Sequence, residues 1–90
     1  MEIVLLHAPE MPRELARRLV EVIEMVRALD LKKPPSIAES IDWARTLLLM
    51  GVDDIDRETF KSSMSIIVKH RTDIDLVAER VGMKLPDRAA

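Results

Sequence analysis

The side chains able to do chemistry are few in this chain, and they are scattered along it. Two histidines, His7 and His70, lie far apart, and neither has a partner at metal-ligand spacing. His70 stands between Lys69 and Arg71, a run that suits the negative end of a helix, and His7 beside Ala8-Pro9 reads as a turn residue. Ser62, Ser63 and Ser65 have no base close by in sequence, so they read as the wet side of a helix and not as nucleophiles. Asp53, Asp54, Asp73 and Asp75 stand ahead of helical patterns, where carboxylates cap free N–H groups and face the positive helix end. No catalytic residue and no metal ligand is assigned.

The cations offer more. Lys32-Lys33 and Lys69-His70-Arg71 can reach phosphates if another domain supplies the nucleotide, although cations at helix ends need no ligand to explain them. Arg45 lies beside an apolar stripe, where it can bury its stem and pair with Asp42 or with a partner chain. There is no G-x-x-x-x-G-K-[ST] loop, and the two glycines, Gly51 and Gly82, are far apart. The strand-ending acidic pair that would hold Mg²⁺ is missing as well. The chain alone is therefore expected to need no cofactor and not to be an enzyme.

Four helices must position these groups. The first is expected over 12–30, with Pro12 in its first turn and Leu15, Leu19, Val22, Ile23, Val26 and Leu29 at helical spacing. Glu14 stands four residues before Arg18, the favourable order for an ion pair. Pro34 and Pro35 prevent its continuation. Ser36 and Glu39 form a capping box that opens the second helix, 37–50, with Ile37, Ile41, Ala44, Leu47 and Leu48 as its stripe and Gly51 as its stop. Asp56 caps a third helix, 57–70, with Ile55 and Phe60 as a hydrophobic staple and Phe60, Met64, Ile67 and Val68 buried. Thr72 and Asp75 repeat the cap pattern for a fourth helix, 73–81, with Ile74, Val77, Ala78 and Val81 inward and Gly82 at its end. Residues 83–90 read as a tail. Residues 2–6 fit either an edge strand or the last turns of a helix.

Composition agrees with an all-α fold, a small four-helix bundle. The 90 residues are 48% hydrophobic, yet Trp43 and Phe60 are the only aromatics, so Leu, Ile, Val, Met and Ala must build the core. A net charge of −2 with mixed signs speaks against nucleic acid as a partner. No apolar run is long enough for a membrane span, the N-terminus lacks the features of a signal peptide, and there is no cysteine. A cytoplasmic location is expected.

The stretch Arg27-Ala28-Leu29-Asp30-Leu31, followed by Lys33-Pro34-Pro35-Ser36-Ile37-Ala38-Glu39-Ser40-Ile41-Asp42-Trp43-Ala44-Arg45, resembles the C-terminal lid of MoxR-family AAA+ ATPases. The likeness continues through Leu47 to Gly51, the cap at Asp56, and Val68-Lys69-His70-Arg71-Thr72-Asp73. Glu2-Ile3-Val4-Leu5-Leu6-His7-Ala8-Pro9 resembles the connection from the ATPase core, so the likeness covers about residues 2–78. It implies a linker at 1–11 and a helical lid at 12–82. It also implies a parent protein with an α/β core that binds ATP and Mg²⁺ and assembles into a ring. The lid would pack on that core and on neighbouring subunits, coupling ATP turnover to chaperone-like remodelling of a client, with a von Willebrand factor A-domain protein as a possible partner. Ser36, Ile37, Ala38 and Arg45 would then lie near the nucleotide. Related lids carry a sensor-2 arginine two residues after the opening serine; here Ala38 stands there and can offer no cation. A branch that works without this arginine fits best, because the serine, glutamate and stripe align without a gap.

Two other classes compete. A free-standing helical interaction module would use the aliphatic surface and six methionines. A helix-turn-helix over 57–81 would bring Asp73, Asp75 and Glu79 against DNA phosphates, which disfavours it. Pure chain is expected to show no ATP turnover above background. Turnover abolished by a point substitution within these residues would contradict the missing P-loop argument.

Overall fold

The computed structural model describes residues 10–87. Among them the order is α1 (Arg13–Arg27), α2 (Ile37–Met50), α3 (Arg57–Ser63), a 3₁₀ turn (Met64–Ile66), α4 (Arg71–Arg80) and a second 3₁₀ turn (Gly82–Lys84), with no strand. This is the expected small helical bundle. The linker, the strand-or-helix alternative and the turn at His7 concern residues outside those described.

The first helix is shorter than expected. After Arg27 the chain tightens: Leu29 N–H donates to Val26 at 3.1 Å and Leu31 N–H to Leu29 at 3.0 Å. These short-range bonds end the helix several residues before the prolines. Leu15, Leu19, Val22 and Val26 are fully buried, as their spacing predicts, and Ile23 and Leu29 pack at the margin.

The second helix has the expected bounds and caps. Glu39 N–H donates to Ser36 Oγ at 3.1 Å while Ser36 N–H donates to Glu39 Oε1 at 2.9 Å, completing the capping box. Gly51 closes it at φ 71°, a left-handed conformation that costs glycine least. Its buried face keeps Ala44 and Leu47 of the expected stripe but is rotated away from Ile37, Ile41 and Leu48. Ser40, Trp43, Ala44 and Leu47 face the core, whereas Ile37 is 55% exposed and Ile41 and Leu48 are only partly covered. The centres of the expected and observed faces lie about 65° apart around the axis at 3.6 residues per turn.

Trp43 decides which face wins. Its indole is completely buried, meets Phe60 edge-on with ring centroids 6.0 Å apart, and donates from Nε1 to Ser63 Oγ at 2.8 Å. The Ser63 hydroxyl donates onward to the Thr59 carbonyl at 2.7 Å. Burying the largest side chain with its N–H satisfied outweighs a tidier aliphatic stripe. Ser63 is thus a core residue and not on the wet side of the helix; of the three serines, Ser62 and Ser65 are exposed.

The third helix does not reach residue 70. Ser62 Oγ and Ser63 Oγ both donate to the Thr59 carbonyl, at 3.1 and 2.7 Å, a back-bonding that competes with helical continuation. The β-branched Ile66, Ile67 and Val68 follow. The chain passes through the 3₁₀ turn, where Ile67 and Val68 N–H groups both bond the Met64 carbonyl. The start is as expected: Asp56 accepts from Thr59 N–H at 2.7 Å, and Ile55 and Phe60 are fully buried.

The fourth helix begins earlier, at Arg71, with His70 as its N-cap and no side-chain cap bond. The Thr72–Asp75 capping pattern is not used. Thr72 lies inside the first turn and Asp73 turns elsewhere, as described below. Val77 and Val81 are buried and Ile74 and Ala78 partly so, as expected.

Residues 83–87 of the expected tail are held in place. Arg57 donates from Nε to the Gly82 carbonyl at 2.9 Å and from Nη2 to the Leu85 carbonyl at 3.3 Å, and it pairs with Asp87. Arg57 N–H bonds the Pro86 carbonyl at 2.9 Å, and Leu85 is buried. Trp43→Ala is expected to cost about 3–5 kcal/mol in urea unfolding. A cost near zero would mean that the indole does not hold this core together.

Candidate functional site

Ser36, Ile37, Ala38 and Arg45, the residues singled out above, all lie on α2 at or near its outer side. Ser36 is fully engaged at the helix start: besides the capping box, its carbonyl accepts from Ser40 N–H and Ser40 Oγ, both at 3.0 Å. Ile37 and Ala38 are exposed in the first turn. Arg45 is exposed two turns further on, where it lines a shallow open depression with Glu10, Leu48 and Leu49. It makes no ion pair with Asp42 among the described residues. Leu49 beside it is 90% exposed. The face is therefore apolar with one cation in it, and α2 presents it outward because Trp43 has claimed the other side.

The two basic clusters come together at the start of α2 and α4. The Asp73 carboxylate accepts from the Lys32 and Lys33 backbone N–H groups, each at 3.2 Å, although it lies on α4 and they lie in the loop after α1. Asp73 is buried, so this bridge is one of the few polar links inside the bundle. The expected role of Asp73 as a local cap is thereby corrected: it staples the loop after α1 to the first turn of α4. Lys69-His70-Arg71 also moves from the expected helix C-terminus to a helix N-terminus, because α3 ends early. Cations there gain nothing from the helix dipole, and all five basic side chains stay in solvent.

The Ser36 backbone N–H holds the Glu39 carboxyl below the ordinary glutamate range, against the partial burial that pushes it up. The Ser36 side chain and the charges of Lys33 and Lys69 pull in the same direction. Both ammonium groups are thus felt at the first turn of α2, where Ala38 brings no charge. Among the described residues no group of three His, Cys, Asp or Glu could hold a metal ion.

A second charged patch is internally satisfied. Arg18 grips Asp54 with two bonds, Nε at 2.8 Å and Nη2 at 3.3 Å, in place of the expected pairing with Glu14. Asp54 also accepts from Ile55 N–H at 2.8 Å, so it ties the α2–α3 loop to α1. The hydrogen bond from Arg18 holds the Asp54 carboxyl low, against its partial burial, and the bond to Asp54 raises Arg18 in turn. An exposed pair of this kind adds at most about 1 kcal/mol.

Sequence reasoning missed Ser63, Asp73 and Arg57. Ser63 had a readable signal: with Thr59, Phe60, Met64 and Ile67 it completes a helical spacing. Arg57 had a weaker one, since a cation in a first helical turn is unfavourable and needs another purpose. Asp73 had none, because its partners are backbone groups about forty residues away. No family model, no curated protein and no solved structure matches the chain. No helix of the described residues is long and apolar enough to cross a membrane.

Glu39 and Asp54 both bind protons less readily when folded than when unfolded. As pH falls from about 5 toward 3, the unfolded chain takes up protons first, so the stability these groups contribute above their ordinary values near 4 drains away. The urea midpoint should drop across that window, and Glu39→Gln should make the drop shallower. An equally steep drop in the variant would remove Glu39 from the account.

Proposed function

We propose that the chain is the helical lid of a MoxR-like AAA+ ATPase, coupling nucleotide turnover in an attached core to contacts with neighbouring subunits and a client. One observation carries this proposal. The segment that bears the family likeness turns its apolar Ile37, its Ala38, its Arg45 and its Leu49 to solvent, while Trp43 and Leu47 of the same helix fill the core. A lid needs such a two-sided helix, one side to fold on and one to dock with.

The charge pattern supports the same reading. Lys33 and Lys69 bring positive charge to the first turn of α2, near the position where related lids place their arginine. Arg45 lies seven residues beyond Ala38, about 10 Å along the helix, so it is poorly placed to replace an arginine at Ala38. Ala38 would approach the nucleotide without an ionic contact. The parent, not this chain, would supply ATP and Mg²⁺ binding, and a von Willebrand factor A-domain protein would be a candidate partner.

The degree of exposure of Leu49 and Ile37, with Met50 at 43%, also favours a second reading, a free-standing module that docks on a partner protein. The natural reading frame separates the two. An in-frame P-loop upstream, and Mg²⁺-dependent ATP hydrolysis by the full product, are expected. A frame that starts at Met1 with no P-loop overturns the lid and leaves the module.

A further inference from the structure

We infer that the outer face of α2 docks an amphipathic helix of a partner protein, one that sets a carboxylate opposite Arg45. The inference rests on the docking role proposed above for this face and names the class of its occupant. Ala38, Ile41, Arg45 and Leu48 follow one another at intervals of three, four and three residues. That alternation is the one by which a helix seats another helix along a seam. Ala38 and Arg45 are exposed, and Ile41 and Leu48 are only partly covered. The seam is centred about 130° around the axis from Ser40, Trp43, Ala44 and Leu47, the residues that α2 buries in its own bundle. It runs for about 15 Å, or roughly three turns. No strand exists among the described residues, so they offer no sheet edge to an extended peptide.

Charge narrows the partner further. Arg45 stands in the middle of the seam and makes no ion pair among the described residues. An apolar surface closing over it would strip water from the guanidinium, and a covered guanidinium needs a carboxylate. The chain's own acids lie at the margins: Asp42 is about one turn back, and Glu10 lines the depression shared by Arg45, Leu48 and Leu49. A matching helix therefore presents aliphatic side chains, a carboxylate at its centre and no acid at its flanks. A second copy is a poor match. Parallel pairing of α2 with itself sets Arg45 against Arg45. Antiparallel pairing in full overlap sets the two arginines in adjacent layers, about 5 Å apart along the axis, where like charges repel.

The test uses the 90-residue chain and two stapled helical peptides of about four turns, aliphatic along one side, that differ only in Glu or Lys at the central position of that side. Binding is read from the fluorescence anisotropy of the peptides, and its place from methyl shifts of the protein. The Glu peptide is expected to bind about tenfold tighter than the Lys peptide, or better, with shifts at Ala38, Ile41 and Leu48. Arg45→Glu should invert that preference while the Trp43 indole N–H stays protected from exchange. Binding of neither peptide, equal binding of both, or an unchanged preference in Arg45→Glu would each overturn the inference. So would a dimer of the chain alone in sedimentation that covers the same methyls, which would assign the face to a second copy. None of these outcomes decides the lid reading, which stands or falls with an upstream P-loop and ATP hydrolysis by the full product.

Discussion

The rest of the bundle depends on how one indole is buried. Trp43 contributes the largest apolar surface in a core that has only one other aromatic side chain, Phe60. A buried indole N–H without a partner would forfeit much of that gain, so the ring can settle only where an acceptor waits. Ser63 supplies the acceptor, and its own proton goes to the Thr59 carbonyl. This relay fixes the rotation of α2 about its axis and its position against α3. Once the rotation is fixed, Ile37, Arg45 and Leu49 have no choice but to face outward. The candidate functional face is a consequence of the core.

Around that centre the connections are fastened by three polar clamps. Asp73 holds the loop after α1 to α4, Arg18 with Asp54 holds the loop after α2 to α1, and Arg57 holds the chain beyond α4 to α3. Each joins segments distant in sequence, and two of them do it by satisfying backbone groups. A domain this small buries a modest fraction of its surface, so satisfying loop backbone groups matters more than it would in a large one. Among the described residues no buried side-chain nitrogen or oxygen lacks a hydrogen-bond partner.

Three local signals in the sequence were read correctly. The capping box at Ser36 and Glu39, the left-handed Gly51 and the cap at Asp56 each need only a few neighbouring residues, and all stand as expected. The face of α2 was misread because aliphatic spacing alone favours Ile37, Ile41 and Leu48. Only a partner from α3 shows that Trp43 must turn inward. The end of α3 was misread for a related reason: Ser62 and Ser63 can face water or bond back to Thr59, and the tertiary setting chooses. Of the candidate site, the residues were legible and their exposure was not. Arg45 was expected to pair with Asp42 or a partner chain, and among the described residues it makes no ion pair with Asp42; the meeting of Lys33 and Lys69 near Glu39 depends on the long-range bridge from Asp73.

Fold and proposed role therefore share one premise, that the indole belongs to the core of this chain and so sets the outward face of α2. A double-mutant cycle on Trp43→Phe and Ser63→Ala tests it most directly, with stability read from urea unfolding. A coupling energy of about 1 kcal/mol or more is expected, as for a buried hydrogen bond between neighbours. Strict additivity, with Ser63→Ala costing the same in the Trp43 and Phe backgrounds, would contradict the account.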